Sequence, residues 1–166
     1  MNFTPGPPLQ SRTRETAIRR DAQGNWFNGS DPIDHPKLAA SFDQWLELAE
    51  DGRFCLKNEI NWAYVAIEGP AYFVRAAHVH PEGVTLTLHD GRWERLDPST
   101  LRQDASGVLY CQVRNGTMTA RFDKHATVAL HSAVGEDPEG VYLRLAGEQI
   151  RPPVVSSPLV FEKALR

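Results

Sequence analysis

The sequence is poor in cysteine, in surplus positive charge and in long apolar runs, and each shortage removes a class of function. Cys55 and Cys111 are the two cysteines, and neither stands in a Cys-x-x-Cys pair or at a zinc-ligand spacing. A disulfide framework and a cysteine-built metal site are excluded, and both thiols read as buried. With 18 Lys and Arg against 21 Asp and Glu, the net charge is -3, which leaves no basic surplus for a phosphate backbone. Neither nucleic acid nor strong attraction to an anionic membrane is expected. Nowhere do about eighteen apolar residues run together, and residues 1–10 lack the basic and apolar regions of a signal peptide, so a cytoplasmic place is expected. The glycine-rich phosphate loops are missing, as is a Gly-x-Ser-x-Gly elbow, and no His stands at a recognisable spacing from either cysteine. No cofactor and no reaction are indicated.

What is present is a globular composition, 41% hydrophobic and 23% charged, over 166 residues. The residues indicate an α+β protein built mostly of meander hairpins. Residues 1–17 form a Pro-rich stretch without periodicity and are expected to be a disordered tail. Trp26-Phe27 reads as a short strand entering a tight turn at 28–32. A helix then starts with Asp34 as cap, carries Leu38, Phe42, Trp45, Leu46 and Ala49 on one face, and ends at Gly52. Antiparallel strands follow through Phe54, Leu56, residues 62–67 and Tyr72 to Val74.

Alternation fixes two hairpins. A reversal centred on Glu82-Gly83 sets His80 opposite Thr85 and His78 opposite Thr87, and Asp90-Gly91 then pairs Leu88 with Trp93. Asn115-Gly116 sets Val113 opposite Met118, Cys111 opposite Ala120 and Leu109 opposite Phe122, with Tyr110, Gln112, Arg114, Thr119 and Arg121 facing the other way. Asp123 caps a second helix with Ala126, Ala129, Leu130, Ala133 and Val134 on one face, and Gly135 stops it. A strand spans 141–145. Residues 151–166, broken by Pro152-Pro153 and Pro158, should lie extended on the body. The resulting division is 18–98 for a first sheet-and-helix half and 99–150 for a second.

Several short motifs together carry a resemblance: Trp26-Phe27-x-Gly-x-x-Pro32-Ile33, Glu68-Gly-Pro-Ala-Tyr-Phe-Val, and Tyr110-x-Gln-Val-Arg114 before Ala-Arg-Phe. Over roughly residues 18–150 the chain resembles the bacterial domain of unknown function twelve eighty-five family. It departs from that family's usual acidic pattern at Gly69-Pro70. The resemblance implies two small antiparallel sheet-plus-helix halves, loosely like a pleckstrin-homology half-barrel, and it carries over no functional residue.

Two functional readings stand. In the first, the protein is a non-enzymatic binding or adaptor module of a regulatory or signalling kind, contacting a protein or small ligand at the junction of the halves or at a sheet edge. Trp26, Phe27, Tyr110, Arg114 and Arg121 are its candidate contact residues. In the second, His78, His80 and His89 gather on one strand face, bind zinc and, with Glu94 activating water, make a metal-dependent hydrolase. The competing account of those histidines is a solvated polar strand face.

Overall fold

The structure is a computed structural model and describes residues 13–161. The chain divides into two compact units between Glu68 and Gly69. The expected boundary at 98/99 instead falls inside one unit, where strands from both sides of it share a sheet.

The first unit holds β1 (Ile18–Arg20), β2 (Trp26–Asn28), β3 (Asp31–Pro32), α1 (Pro36–Trp45), β4 (Leu46–Leu48), β5 (Phe54–Lys57), β6 (Trp62–Tyr64) and β7 (Ala66–Ile67). Strands β4, β5 and β6 form an antiparallel meander, whereas the other sheet runs β3-β2-β1-β7 with β1 and β7 parallel. The helix departs from expectation at both ends. His35, not Asp34, is the cap, its Nδ1 accepting the Leu38 N–H at 3.2 Å, because Pro36 occupies the first helical position and the cap must directly precede it. The helix ends at Trp45 because Leu46 and Leu48 pair with Leu56 and Phe54, a ladder that outweighs the helical period. Gly52, at φ +84°, serves the turn between β4 and β5 rather than a helix end.

The tail expected over 1–17 lies outside the described residues up to position 12. From 13 onward the chain is tied to β6: Tyr64 N–H donates to the Arg14 carbonyl at 2.8 Å, and the Thr16 hydroxyl donates to the Tyr64 carbonyl at 2.6 Å. Backbone pairing supplies the order that apolar burial would not. Trp26 stands edge-on to Phe42 at 5.3 Å, and its indole N–H donates to Asp43 at 2.9 Å. Fully buried Arg20 pairs with the same carboxylate at 3.0 Å.

The second unit is dominated by a six-stranded sheet. Its strands are β8 (Tyr72–His80), β9 (Gly83–Leu88), β10 (Trp93–Arg95), β11 (Arg102–Gln103), β12 (Leu109–Val113) and β13 (Met118–Phe122), in the order β10-β9-β8-β13-β12-β11. Every neighbouring pair is antiparallel except β8 and β13, so the expected all-antiparallel meander is broken at the sheet centre. Then come α2 (Lys124–Ala129) with a 3₁₀ turn over Leu130–Ala133, and a small sheet of β14 (Val134–Asp137), β15 (Gly140–Leu145) and β16 (Glu148–Ile150). Asp123 caps α2, accepting from the Ala126 N–H at 2.9 Å. Gly135 is a strand residue of β14 rather than a helix stop.

The β12–β13 register has Val113 opposite Met118 and Cys111 opposite Ala120, as the alternation requires. The β8–β9 turn sits one residue earlier than expected, at Pro81-Glu82: His78 faces Thr85 and His80 faces Gly83, a two-residue offset in register that keeps every side chain on its expected face. A bulge between Val74 and Ala76 adjusts the ladder. At β9–β10 the offset is one residue, so Trp93 meets Thr87 instead of Leu88. Tyr72, Val74, Val84, Leu86, Leu88, Cys111, Val113, Met118, Ala120 and Phe122 fill the apolar side, and α2 packs against β8 and β13.

Candidate functional site

The other side of the six-stranded sheet, called the outer face below, is where exposed chemistry collects. Register places Ala76, Thr87 and Trp93 in one cross-strand row and His78, Thr85 and Arg95 in the next. Trp93 is 71% exposed on the end strand β10, which leaves a large aromatic ring in water beside an open sheet edge. The Leu88 N–H donates to the Arg92 carbonyl and the Leu96 N–H to the Val84 carbonyl, each at 2.8 Å. Antiparallel alternation therefore turns the main-chain groups of Trp93 and Arg95 outward. Among the described residues no strand pairs with that edge. Arg95 anchors the row by donating from Nη2 to the Glu82 carbonyl at 2.6 Å.

At the opposite edge the outer face is covered. The chain after β16 returns beside β11: Gln103 N–H donates to the Pro153 carbonyl at 2.9 Å and Val155 N–H to the Gln103 carbonyl at 2.8 Å. Beneath it lie Arg102, Gln112 and Thr119, polar residues that are all buried. Arg102 sits 4.9 Å from the Phe161 ring.

The candidate residues fall in different places. Trp26 is 3% exposed and belongs to the core of the first unit. Phe27 is half-buried, with the Arg19 guanidinium 4.3 Å from its ring. Tyr110, at 7% exposure, is likewise buried; the outward side of β12 is polar but covered, which alternation alone does not reveal. Tyr110 and Arg121 are register partners, and Arg121 lies 5.1 Å from the Phe73 ring. Arg114 is part of a polar knot: its Nη1 donates to the Tyr72 hydroxyl at 2.6 Å and its backbone N–H to the Glu94 carboxylate at 3.2 Å. Burial pushes the Tyr72 phenol up, against the pull of the Arg114 and Arg92 guanidinium groups. Glu94, cast as a water activator, thus holds a turn whose residue Arg114 sits at φ +53°.

The histidine cluster does not form. His78 and His80 share a strand face with ring centroids 6.0 Å apart, but His80 engages Glu82 at 3.2 Å and Thr85 at 3.0 Å. His89 lies beside the start of β8, where its Nδ1 accepts the Phe73 N–H at 3.2 Å. Phe73 and His78 are five residues apart on an extended strand, roughly 16 Å. Among the described residues no group of three His, Cys, Asp or Glu side chains is arranged to hold a metal.

Trp93 and Arg102 were not among the candidates. The shorter turn expected at Asp90-Gly91 put Trp93 on the apolar face opposite Leu88, and a one-residue longer connection moves it outward. For Arg102 the signal was weak: a lone arginine in a two-residue strand looks like any surface charge.

Comparison with known proteins agrees with the sequence resemblance at the level of fold. A DUF1285 family protein from Silicibacter pomeroyi matches 90% of this chain and 87% of its own, with 20% identity and a TM-score of 0.62. Another DUF1285 family protein, from Shewanella baltica, matches 66% of this chain and 85% of its own, with 14% identity and a TM-score of 0.50. The chain therefore has the mixed α+β fold of these DUF1285 proteins, the same family its motifs resemble. No sequence-family profile matches the chain, and no curated protein is detectably similar to it. Among the described residues no helix is long and apolar enough to cross a membrane.

Proposed function

We propose that the protein is a non-enzymatic binding module, a member of the DUF1285 family, that takes an extended segment of a protein partner along the free edge of β10. The carrying observation is Trp93, exposed on an end strand beside outward main-chain groups. Strand addition draws affinity from the main chain and specificity from alternate side chains, and a central aromatic anchor is the commonest energetic hot spot. His78, Thr85, Thr87 and Arg95 supply polar contacts around the ring. A regulatory or signalling setting, a cytoplasmic place and a pleckstrin-homology-like fold belong to the same proposal. A small ligand in place of a protein is its alternative.

Trp93→Lys tests it. The change lies on an exposed side chain, so unfolding should shift by less than about 0.5 kcal/mol. In quantitative capture from native-host lysate, a near-stoichiometric partner of the parent chain should fall at least about tenfold with the variant. Equal capture by both chains, or capture of nothing by either, refutes the β10 reading.

A further inference from the structure

We propose that the outer face of β11, β12 and β13 is a recognition groove for an extended C-terminal peptide of another protein, whose terminal carboxylate takes the place that the Pro158 carbonyl holds here. This groove lies at the other edge of the sheet and does not depend on the β10 reading. Its strongest feature is Arg102, 4% exposed. The guanidinium donates from Nε and Nη2 to the Pro158 carbonyl at 2.9 and 2.6 Å, from Nη1 to the Thr100 carbonyl at 3.1 Å, and from Nη2 to Gln112 Oε1 at 2.9 Å and Thr119 Oγ1 at 3.2 Å. Every acceptor is neutral. Among the described residues no carboxylate pairs with this buried cation, although buried charges are ordinarily paired.

The occupant's form is already visible, because the chain's own residues 152–161 sit in the groove. Val154 makes a single parallel bridge to Gln103, so the segment runs extended along the β11 edge. Six residues after Pro152 comes the Pro158 carbonyl, met by both Nε and Nη2. That two-pronged approach suits a carboxylate better than a single carbonyl oxygen, since each of its oxygens accepts one N–H and the pair neutralises the charge. A peptide ending at this position presents a carboxylate there without altering the strand register. The internal segment is thus a neutral stand-in that keeps the groove closed in cis, with the high effective concentration of a tethered ligand.

The test uses the full chain carrying Val155→Pro, which deletes the N–H bonded to Gln103 and loosens the segment. A synthetic peptide of the sequence 150–158 is titrated by calorimetry, once with a free C-terminal carboxylate and once as the C-terminal amide. The acid should bind about tenfold more tightly than the amide, the difference between a charge-assisted and a neutral hydrogen-bond pair. It should also bind the Val155→Pro chain more tightly than the parent, where the segment competes. Arg102→Lys, which keeps the charge but loses the fork, should narrow the acid-to-amide ratio to within about threefold. Equal binding of acid and amide, or no binding of either to the loosened chain, overturns the proposal, and that contrast needs no Arg102 variant to fold.

Discussion

Replacing Gly135 by alanine would place a methyl group within 2.6 Å of the Tyr142 ring, its direct cross-strand partner between β14 and β15. Two effects of opposite sign follow. Alanine restricts the unfolded chain and gains about 0.4–1 kcal/mol wherever its native conformation is unstrained. Overpacking against the ring costs about 1–3 kcal/mol. The ring is half-buried and can give, but the Arg144 and Arg151 guanidinium groups lie 5.7 and 5.3 Å from its centre, and Arg151 is held in turn by Asp137. A clash of about 2 kcal/mol less a gain of about 0.7 leaves Gly135→Ala destabilised by about 1.3 kcal/mol. In a Tyr142→Ala background the obstacle is gone, so the same substitution should stabilise by about 0.7 kcal/mol, a coupling of about 2 kcal/mol. Urea unfolding of the four chains, followed by tryptophan fluorescence, measures the cycle. A Gly135→Ala cost of the same size and sign in both backgrounds would refute the argument.

Burial pushes the Cys111 thiol up to about 12. Its folded value is raised above the ordinary thiol value of about 8.5, so its contribution to stability is intact below that pH and is lost as pH rises toward 12. Cys111→Ala should flatten the alkaline fall of unfolding free energy by up to about 1.4 kcal/mol per pH unit, and an unchanged slope counts against it. Asp43→Ala removes the carboxylate shared by Arg20 and the Trp26 indole, and should cost about 3 kcal/mol in chemical unfolding. A cost below about 1 kcal/mol would mean that water or another group replaces it.

Local pattern made the hairpins legible. Asn115-Gly116 and the alternation on either side fix the β12–β13 register, with Arg114, Asn115 and Gly116 all at positive φ in the connecting loop. The β8–β9 offset of two residues shows the strength and the limit of the same argument: period two determines the face, but not which of the same-face partners meets. Where one residue decides, as at Trp93, the whole strand face changes. Neither β1–β7 nor β8–β13 was legible, because parallel partners lie far apart in sequence and no turn announces them. That long-range pairing joins strands on either side of the boundary expected at 98/99. The histidines failed for a related reason: His89 follows the turn into the neighbourhood of Phe73, away from His78.

The covered part of the outer face also explains why a segment rich in proline lies there. Arg102, Gln112 and Thr119 bring a surplus of donors to a buried surface, and burial without acceptors would cost each of them several times the value of a bond made. A regular added strand would supply acceptors but also its own N–H groups, half of which would point away from β11 and need partners. Pro152, Pro153 and Pro158 contribute carbonyls without N–H groups. Those of Pro152, Pro153 and Pro158 accept from the Gln103 side chain, the Gln103 backbone and Arg102 respectively. The Thr119 hydroxyl donates to Gln112 Oε1 at 2.6 Å, completing the set. The prolines that rule out a regular strand in the sequence are therefore what make this segment fit a donor-rich face, and a peptide ending in a carboxylate would satisfy the same demand with added charge.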